Sequence, residues 1–108
     1  MSEVLSRVGD KWTVLVVGTL GDGPKRFNEL RRALGSISQR MLTLTLRALE
    51  RDGLVTRTVH PVVPPRVDYA LTALGDSLLP AVQPLVEWGR QHRGAIARAR
   101  AEYDHTAN

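Results

Sequence analysis

The sequence predicts a mainly helical domain with one small β-hairpin, which is an α+β fold. Two observations carry this prediction. Residues 26–53 follow the pattern of two helices joined by a tight turn, a helix-turn-helix. In residues 54–71 the pattern of apolar residues is no longer helical. Two segments there, Leu54–Val59 and Arg66–Leu71, alternate in polarity and are rich in β-branched or aromatic residues.

The first helix of the pair is predicted from a cap, three apolar residues and a glycine. Asn28 is expected to cap its N-terminus, because a short polar side chain there can accept a hydrogen bond from a free backbone N–H. Leu30, Ala33 and Leu34 fall on one side and should face the core. Gly35 should end the helix, since glycine takes the positive φ that is common at helix C-termini.

The second and longer helix is expected to span Ser38 to Asp52. Ser38 suits the N-cap, and Ile37 precedes Leu42 with the spacing of a hydrophobic staple. Gly53 should end the helix as its C′ residue. The predicted buried stripe consists of Leu42, Leu46 and Leu49.

The opposite face of this second helix is polar and basic. With the leucine stripe inward, steps of 100° per residue turn three arginines and a threonine outward: Arg40, Arg47, Arg51 and Thr43. The positive end of the helix adds Ser36, Ser38 and Gln39. Such a face can meet phosphates and base edges in a major groove. A merely solvated helix face is the alternative.

The two predicted strands are joined by His60–Pro65, which can be neither helix nor central strand because of its prolines. A hairpin that directly follows a helix-turn-helix makes a wing. Arg57, His60 and Arg66 lie on or beside this wing, where we expect contacts to phosphate or to the minor groove. Ordinary polarity of a strand surface is the alternative for these three residues.

Helices are also predicted in residues 1–20. Ser2–Val8 should form a short helix, and a nearly all-apolar helix should run from Lys11 to about Leu20, capped by Asp10, in the middle of the domain. A glycine- and proline-containing turn should follow. Lys25–Phe27 is then expected as a brief strand, with Phe27 in the core.

Residues 72–103 are predicted to be helical and to pair subunits. Thr72 should cap this region, and Pro80 and Pro84 should produce a kink or two abutting helices. A further helix, Arg90–Tyr103, should be interrupted or bent at Gly94, with fraying from Asp104 onward. The region has more apolar surface than a lone helix needs. The expected dimer interface consists of Val4, Leu5, Val8, Leu78, Val82, Leu85, Val86 and Trp88.

Length and charge fit a single domain, residues 1–108, with a polyanionic partner. Residues 24–66 hold nine Lys/Arg against three Asp/Glu, a net charge of +6, whereas the rest of the chain carries −2. Positive charge is therefore concentrated around the helix-turn-helix and wing. The sequence has no cysteine, and its longest apolar run near the N-terminus, Val14–Val17, is too short to span a bilayer. A soluble cytoplasmic protein is expected.

Nothing in the sequence indicates catalysis, a cofactor or a metal site. His60, His92 and His105 each lack a carboxylate or nucleophile at a suitable spacing, so no enzyme is predicted. A winged-helix module that binds proteins and not DNA is the alternative function. A small-molecule effector of unknown identity could bind beside Trp12 and Trp88, but both tryptophans could equally be core or interface aromatics.

The predicted order of elements is that of a winged helix-turn-helix domain, and the residues resemble the HxlR family of bacterial transcriptional regulators, which is related to the MarR type. The resemblance runs from about Leu5 to Gly89. Its five segments are Gly9–Trp12, Gly23–Leu30, Ile37–Thr43, Leu46–Val55 and Pro64–Thr72.

The resemblance implies a homodimer, held by its N-terminal and C-terminal helices, that binds a pseudo-palindromic operator in double-stranded DNA. Ser38, Gln39, Arg40 and Thr43 would enter the major groove, while Arg31, Arg32, Arg47 and Arg66 would contact the backbone. The whole expected DNA-binding set is Lys25, Arg26, Arg31, Arg32, Ser36, Ser38, Gln39, Arg40, Thr43, Arg47, Arg57, His60 and Arg66.

Two departures from the family pattern affect these expectations. Many members carry a cysteine just before the first helix, which in some senses oxidants or electrophiles, and this sequence has none. Many members also have a polar pair, often Gln-Arg, where this sequence has Leu44-Thr45. Leu44 falls on the outward face, where it could touch a thymine methyl or simply be a tolerated exposed leucine. The operator sequence therefore cannot be carried over from relatives.

Overall fold

The computed structural model describes residues 11–107. It confirms a mainly helical fold with a small antiparallel sheet. Its elements are α1 (Lys11–Leu20), β1 (Lys25–Arg26), α2 (Phe27–Leu34), α3 (Gln39–Arg51), β2 (Val55–His60), β3 (Arg66–Leu71), α4 (Ala73–Asp76), α5 (Leu79–Gln91) and α6 (Arg93–Ala107). The predicted helix Ser2–Val8, the cap Asp10 and the interface residues Val4, Leu5 and Val8 lie outside the described residues.

Helix α1 lies at the centre of the fold, as its apolar sequence predicts. Val16 and Val17 are completely buried, and the helix contacts α2, α3, α5 and β3. The predicted leucine stripe of α3 is confirmed, because all three of its members are buried in the same core: Leu42, Leu46 and Leu49. Each such side chain contributes about 1.5–3 kcal/mol of burial energy. This core fixes which side of α3 faces outward.

The N-terminus of α3 is built as the sequence predicts. The Oγ atom of Ser38 accepts a hydrogen bond from the backbone N–H of Met41 at 3.0 Å. Ile37 and Leu42 are both buried, in the positions of a hydrophobic staple. Before them, Gly35 has φ +75° and ends α2.

The C-terminus of α3 closes with a Schellman motif. Gly53 has φ +78°, and its N–H donates to the carbonyl of Glu50 at 3.1 Å. The N–H of Leu54 donates to the carbonyl of Leu49 at 2.9 Å. Because Leu54 is used to close the helix, β2 begins one residue later than predicted, and it extends through His60.

The start of α2 differs from the prediction. Asn28 does not cap the helix; Arg26 occupies the N-cap position, and its backbone N–H donates to the carboxylate of Glu29 at 2.7 Å. Phe27 is the first helical residue and not part of the strand, because pairing with β3 ends at Arg26. Ala33 is exposed, contrary to the prediction, and the inward face of this short helix consists of Phe27, Leu30 and Leu34, with Phe27 packed against the core as predicted.

The sheet has the order β1-β3-β2, and all its pairs are antiparallel. The hairpin pairs without a break from Val55 opposite Leu71 to His60 opposite Arg66. Partners across a ladder share a face of the sheet. One face therefore carries Lys25, Tyr69 and Arg57, and the other carries Arg26, Asp68 and Thr58.

The C-terminal region contains three helices. Thr72 caps α4 as predicted, since its Oγ1 accepts from the N–H of Gly75 at 3.0 Å. The first break falls before Leu79, and Pro80 sits in the first turn of α5, where its missing N–H costs nothing. Pro84 lies inside α5, which continues past it.

The second C-terminal break is at His92 and not at Gly94. The N–H of His92 still donates to the carbonyl of Trp88 at 3.0 Å, and α6 then begins at Arg93. Gly94 lies in the first turn of α6, where it interrupts nothing. The predicted fraying is wrong for residues 104–107, which remain helical.

Helix α3, which is the second helix of the helix-turn-helix, meets the wing and the C-terminal helices at one junction. This junction consists of Gly53, Leu54, Thr72 and Gly75. The hydroxyl of Thr72 donates to the carbonyl of Gly53 at 2.6 Å, and its N–H donates to the carbonyl of Leu54 at 3.0 Å. Gly75 is buried against the same Leu54 carbonyl oxygen, which a Cβ at position 75 would overlap. The glycine therefore permits a backbone-to-backbone approach that no other residue would allow.

Candidate nucleic-acid interface

The outward side of α3 presents one shallow depression of about 550 Å³. We call its lining the recognition surface: Gln39, Arg40, Thr43, Leu44 and Arg47. All but Thr43 are exposed, and Arg51 continues the same exposed stripe toward the C-terminus of the helix. The sequence therefore predicted correctly which side chains this helix turns away from the core.

Two hydroxyls of the predicted DNA-binding set already have backbone partners. Ser38 accepts from Met41, so one lone pair of its oxygen is used in the cap. Thr43 donates its hydroxyl hydrogen to the carbonyl of Gln39 at 2.9 Å. These bonds support the helix, so the donors that the recognition surface offers are chiefly the amide of Gln39 and the guanidinium groups of Arg40 and Arg47.

Arg57 of the wing adjoins the recognition surface. It shares a face of the sheet with Tyr69, and it lines a depression of about 360 Å³ together with residues of α3. Those residues include Thr43, Arg47 and Glu50. The approach of Arg57 to α3 depends on the register of the hairpin, which the sequence alone did not define.

A second basic region, the wing groove, lies between the start of α2 and the wing loop. The groove has a volume of about 990 Å³. Its predicted DNA-binding residues are Lys25, Arg26, Arg32 and Arg66, and its other side is formed by Val62–Pro65. Val63 is 99% exposed at the tip of the loop. The Val63–Pro64 peptide bond is cis.

One carboxylate contacts two of the predicted DNA-binding residues of the wing. Asp68 Oδ2 lies 3.0 Å from His60 Nε2, and Asp68 Oδ1 lies 3.5 Å from Arg66 Nε. Arg26 lies opposite Asp68 in the ladder. Asp68 thus offsets part of the wing's positive charge. Asp68 is absent from the residues predicted from the sequence, although its position two residues after Arg66, on the same face of one strand, was a usable signal.

The other predicted residues are more dispersed. Ser36 is exposed in the turn, and Arg31 is half-buried on α2. The predicted set therefore divides into a group on and beside α3, a group around the wing groove, and these two residues between them.

The predicted dimer residues that the structure describes fall into three classes. Val82 is 3% exposed and lies in the core of the single chain, so its assignment to an interface is wrong. Leu78 and Val86 are half-buried against the same core. Leu85 and Trp88 are 57% and 54% exposed, and only these two of the described set present most of their surface.

The two tryptophans have different surroundings. Trp12 packs against the core with the Lys11 ammonium 4.7 Å from its ring centroid. Trp88 stacks on the His92 ring with centroids 4.4 Å apart. Within residues 11–107, no group of three or more histidine or acidic side chains could hold a metal ion, and no helix is long and apolar enough to cross a membrane.

The fold and this surface define a winged helix-turn-helix protein: a capped recognition helix with an outward cationic stripe, followed by a two-stranded wing. The chain belongs to the HxlR family, whose HxlR-like helix-turn-helix model matches residues 7–97. The family assignment that the sequence resemblance suggested is thereby confirmed.

Known relatives agree with this assignment. The HTH-type transcriptional regulator YybR of Bacillus subtilis is 47% identical over 97 residues, which cover 90% of this chain and 78% of YybR. A further HTH-type regulator, from Methanothermobacter thermautotrophicus, is 50% identical over 88 residues, 82% of this chain and 67% of that protein. Both relatives are named as transcriptional regulators.

Solved structures share the fold. The transcriptional regulator YtfH of Salmonella typhimurium superposes on this chain with a TM-score of 0.80 at 41% sequence identity. The match covers 93% of this chain and 89% of the YtfH chain. The redox regulator HypR in its oxidized form superposes with a TM-score of 0.78 at 49% sequence identity. This match covers 83% of this chain and 93% of the HypR chain.

Proposed function

We propose that this protein is a homodimeric transcriptional regulator that binds pseudo-palindromic operator DNA in a sequence-specific manner. The recognition surface of α3 enters the major groove, and the wing contacts the backbone or minor groove of the same half-site. The observation that carries this proposal is the exposed stripe of Arg40, Arg47 and Arg51, at whose border the acidic Glu50 lies beside Arg47. In the dimer, two such helices lie about 34 Å apart and meet successive major grooves.

Charges outside the recognition surface support the same orientation. Arg57 extends the positive surface from α3 onto the wing, and the wing groove adds the cations of β1 and α2. Contacts of this kind are electrostatic, so they predict an affinity that falls steeply as salt is raised. Base selection then depends on Gln39 and Arg40, whose donors can meet base edges.

The direct test is a titration of the protein against promoter fragments from its own genomic neighbourhood at two salt concentrations. We expect one fragment to bind tightly, and Arg40→Ala to weaken that binding by about 1–3 kcal/mol and to relax its sequence preference. Arg47→Ala should weaken all fragments alike and lower the salt slope by about one. Equal, salt-independent binding of every fragment contradicts the proposal.

Arg90→Ala is the matched control for these variants. It removes the same charge from α5, where Arg90 forms an exposed pair with Glu87 at 3.4 Å. Its affinity and salt slope should equal those of the wild type. If the protein binds a protein partner and not DNA, none of the arginine variants will differ from this control in the DNA titration.

A further inference from the structure

Leu44 occupies the middle of the exposed stripe of α3. It is 47% exposed, and it lines the recognition surface between Arg40, four residues before it, and Arg47, three residues after it. At these spacings the three side chains are neighbours on one face of the helix. An apolar side chain thus sits between two guanidinium groups.

The fold itself does not use Leu44. The other leucines of α3, which are Leu42, Leu46 and Leu49, are at most 2% exposed and build the core. Leu44 points away from that core. An exposed leucine is common on protein surfaces, but this one lies at the centre of the surface on which the proposed function depends.

The neighbouring threonine adds to the apolar character of this position. The hydroxyl of Thr43 donates its hydrogen to the carbonyl of Gln39 at 2.9 Å. It cannot donate that hydrogen to a base acceptor at the same time. The centre of the recognition surface therefore offers apolar contact, and the arginines on either side of it offer the donors.

Only one base presents an apolar group in the major groove. Thymine carries its C5-methyl there, whereas guanine presents the N7 and O6 acceptors that arginine binds. We infer that Leu44 is a specificity-determining residue that contacts a thymine C5-methyl in each half-site, next to a base pair contacted by Arg40. This inference rests on the proposed function and names one element of its operator.

The size of the effect follows from the burial of one methyl group. Removing a buried methyl costs about 0.8 kcal/mol, which is about fourfold in affinity. A duplex in which uracil replaces this thymine in both half-sites should therefore bind about fifteenfold more weakly. Uracil pairs like thymine and lacks only the methyl, so the loss reports this contact alone.

The experiment selects operator duplexes from a random library with the wild-type protein and with Leu44→Ala. Thymines of the wild-type consensus are then replaced by uracil one position at a time. We expect one symmetric position at which uracil weakens wild-type binding and leaves Leu44→Ala binding unchanged. The Leu44→Ala consensus should be degenerate at that position and otherwise the same.

Met41→Ala is the matched control, because Met41 is 40% exposed on α3 but lies outside the recognition surface. It should retain the full loss on uracil substitution. The inference is overturned if no uracil substitution weakens the wild type, or if Leu44→Ala suffers the same loss. Selection of no consensus by the wild type overturns the proposed function itself, and the inference with it.

Discussion

At the scale of single residues, α3 separates two tasks by burial. Leu49 is completely buried in the core, whereas Leu44, five residues earlier, lies on the recognition surface. The same amino acid thus stabilises the fold at one position and is available for binding at the other. The two leucines differ in which side of the helix they lie on. The same substitution at both positions measures how much each side chain contributes to stability.

Leu49→Ala should lower the free energy of unfolding by about 2–5 kcal/mol, because it removes a buried side chain and leaves a cavity. Leu44→Ala should change it by no more than about 0.5 kcal/mol, since the side chain is exposed. Urea denaturation followed by circular dichroism measures both values. Equal destabilisation by the two variants would mean that Leu44 is part of a buried contact.

A second residue-scale prediction concerns Asp68, which lies within 3.5 Å of both His60 and Arg66. Asp68→Asn keeps the shape of the side chain and removes the negative charge that offsets Arg66. We expect operator affinity to rise and the slope of log K against log[salt] to steepen by up to about one. Fluorescence anisotropy at four salt concentrations measures the slope.

Asp76→Asn is the control for this variant, because it makes the same change at an exposed position of α4. Its slope should match that of the wild type. If Asp68→Asn also matches the wild type, then His60 and Arg66 do not approach the DNA backbone in the complex.

At the scale of elements, the recognition helix depends on its caps. Ser38→Ala removes the side-chain acceptor for the Met41 N–H and should destabilise the protein by about 0.5–2 kcal/mol. Ser36→Ala, two residues earlier in the exposed turn, removes a hydroxyl that the cap does not use and should have little effect. Thermal melting of the two variants, followed by circular dichroism, compares them directly.

The elements that the sequence predicted well are those defined by local signals. Gly35, Ser38 and Gly53 mark the ends of α2 and α3 through backbone conformation or a side-chain hydrogen bond, and both can be deduced from residue type. The leucine stripe of α3 follows from helical period. For this reason the face of the recognition helix could be assigned correctly before the structure was known.

The elements predicted less well depend on contacts between distant residues. Helix α2 begins at Phe27 because the pairing of β1 with β3 ends at Arg26. The residue type of Asn28 suggests a cap, but it gives no information about this pairing. The approach of Arg57 to α3 and of His60 to Asp68 depends on hairpin register. Val82 was assigned to an interface because helical period does not say whether an apolar face meets the same chain or another one.

At the scale of the whole molecule, the C-terminal helices present surface that the rest of residues 11–107 does not cover. Helix α6 has 15 residues, and among its described side chains only Ile96 is not exposed. Leu85 and Trp88 on α5 are also mostly exposed. A helix with so little burial gains little from its own chain, which supports a second subunit as its partner.

Leu85→Glu should therefore shift the protein from dimer to monomer and abolish tight operator binding. A charge in an apolar interface loses its hydration without gaining a partner, and a monomer contacts only one half-site. Sedimentation velocity at micromolar concentration measures the assembly, and anisotropy measures the binding. A wild-type protein that sediments as a monomer under these conditions would contradict the proposed dimer.

Leu74→Glu is the matched control, because Leu74 is 57% exposed, as Leu85 is, but lies on α4 and outside the predicted interface. It should remain dimeric. If both variants dissociate, the interface is larger than the set predicted from α5.

The junction at Gly75 has a mechanical consequence for any signal that reaches this protein. Helix α4 rests on the carbonyl of Leu54, the residue that closes the recognition helix, with no side chain between the two backbones. A displacement of the C-terminal helices cannot be absorbed there by a change of rotamer. A movement of α4 would instead press directly on the end of the recognition helix, so in the proposed dimer a change in how the two subunits are docked would alter the separation of the two proposed DNA-contacting surfaces.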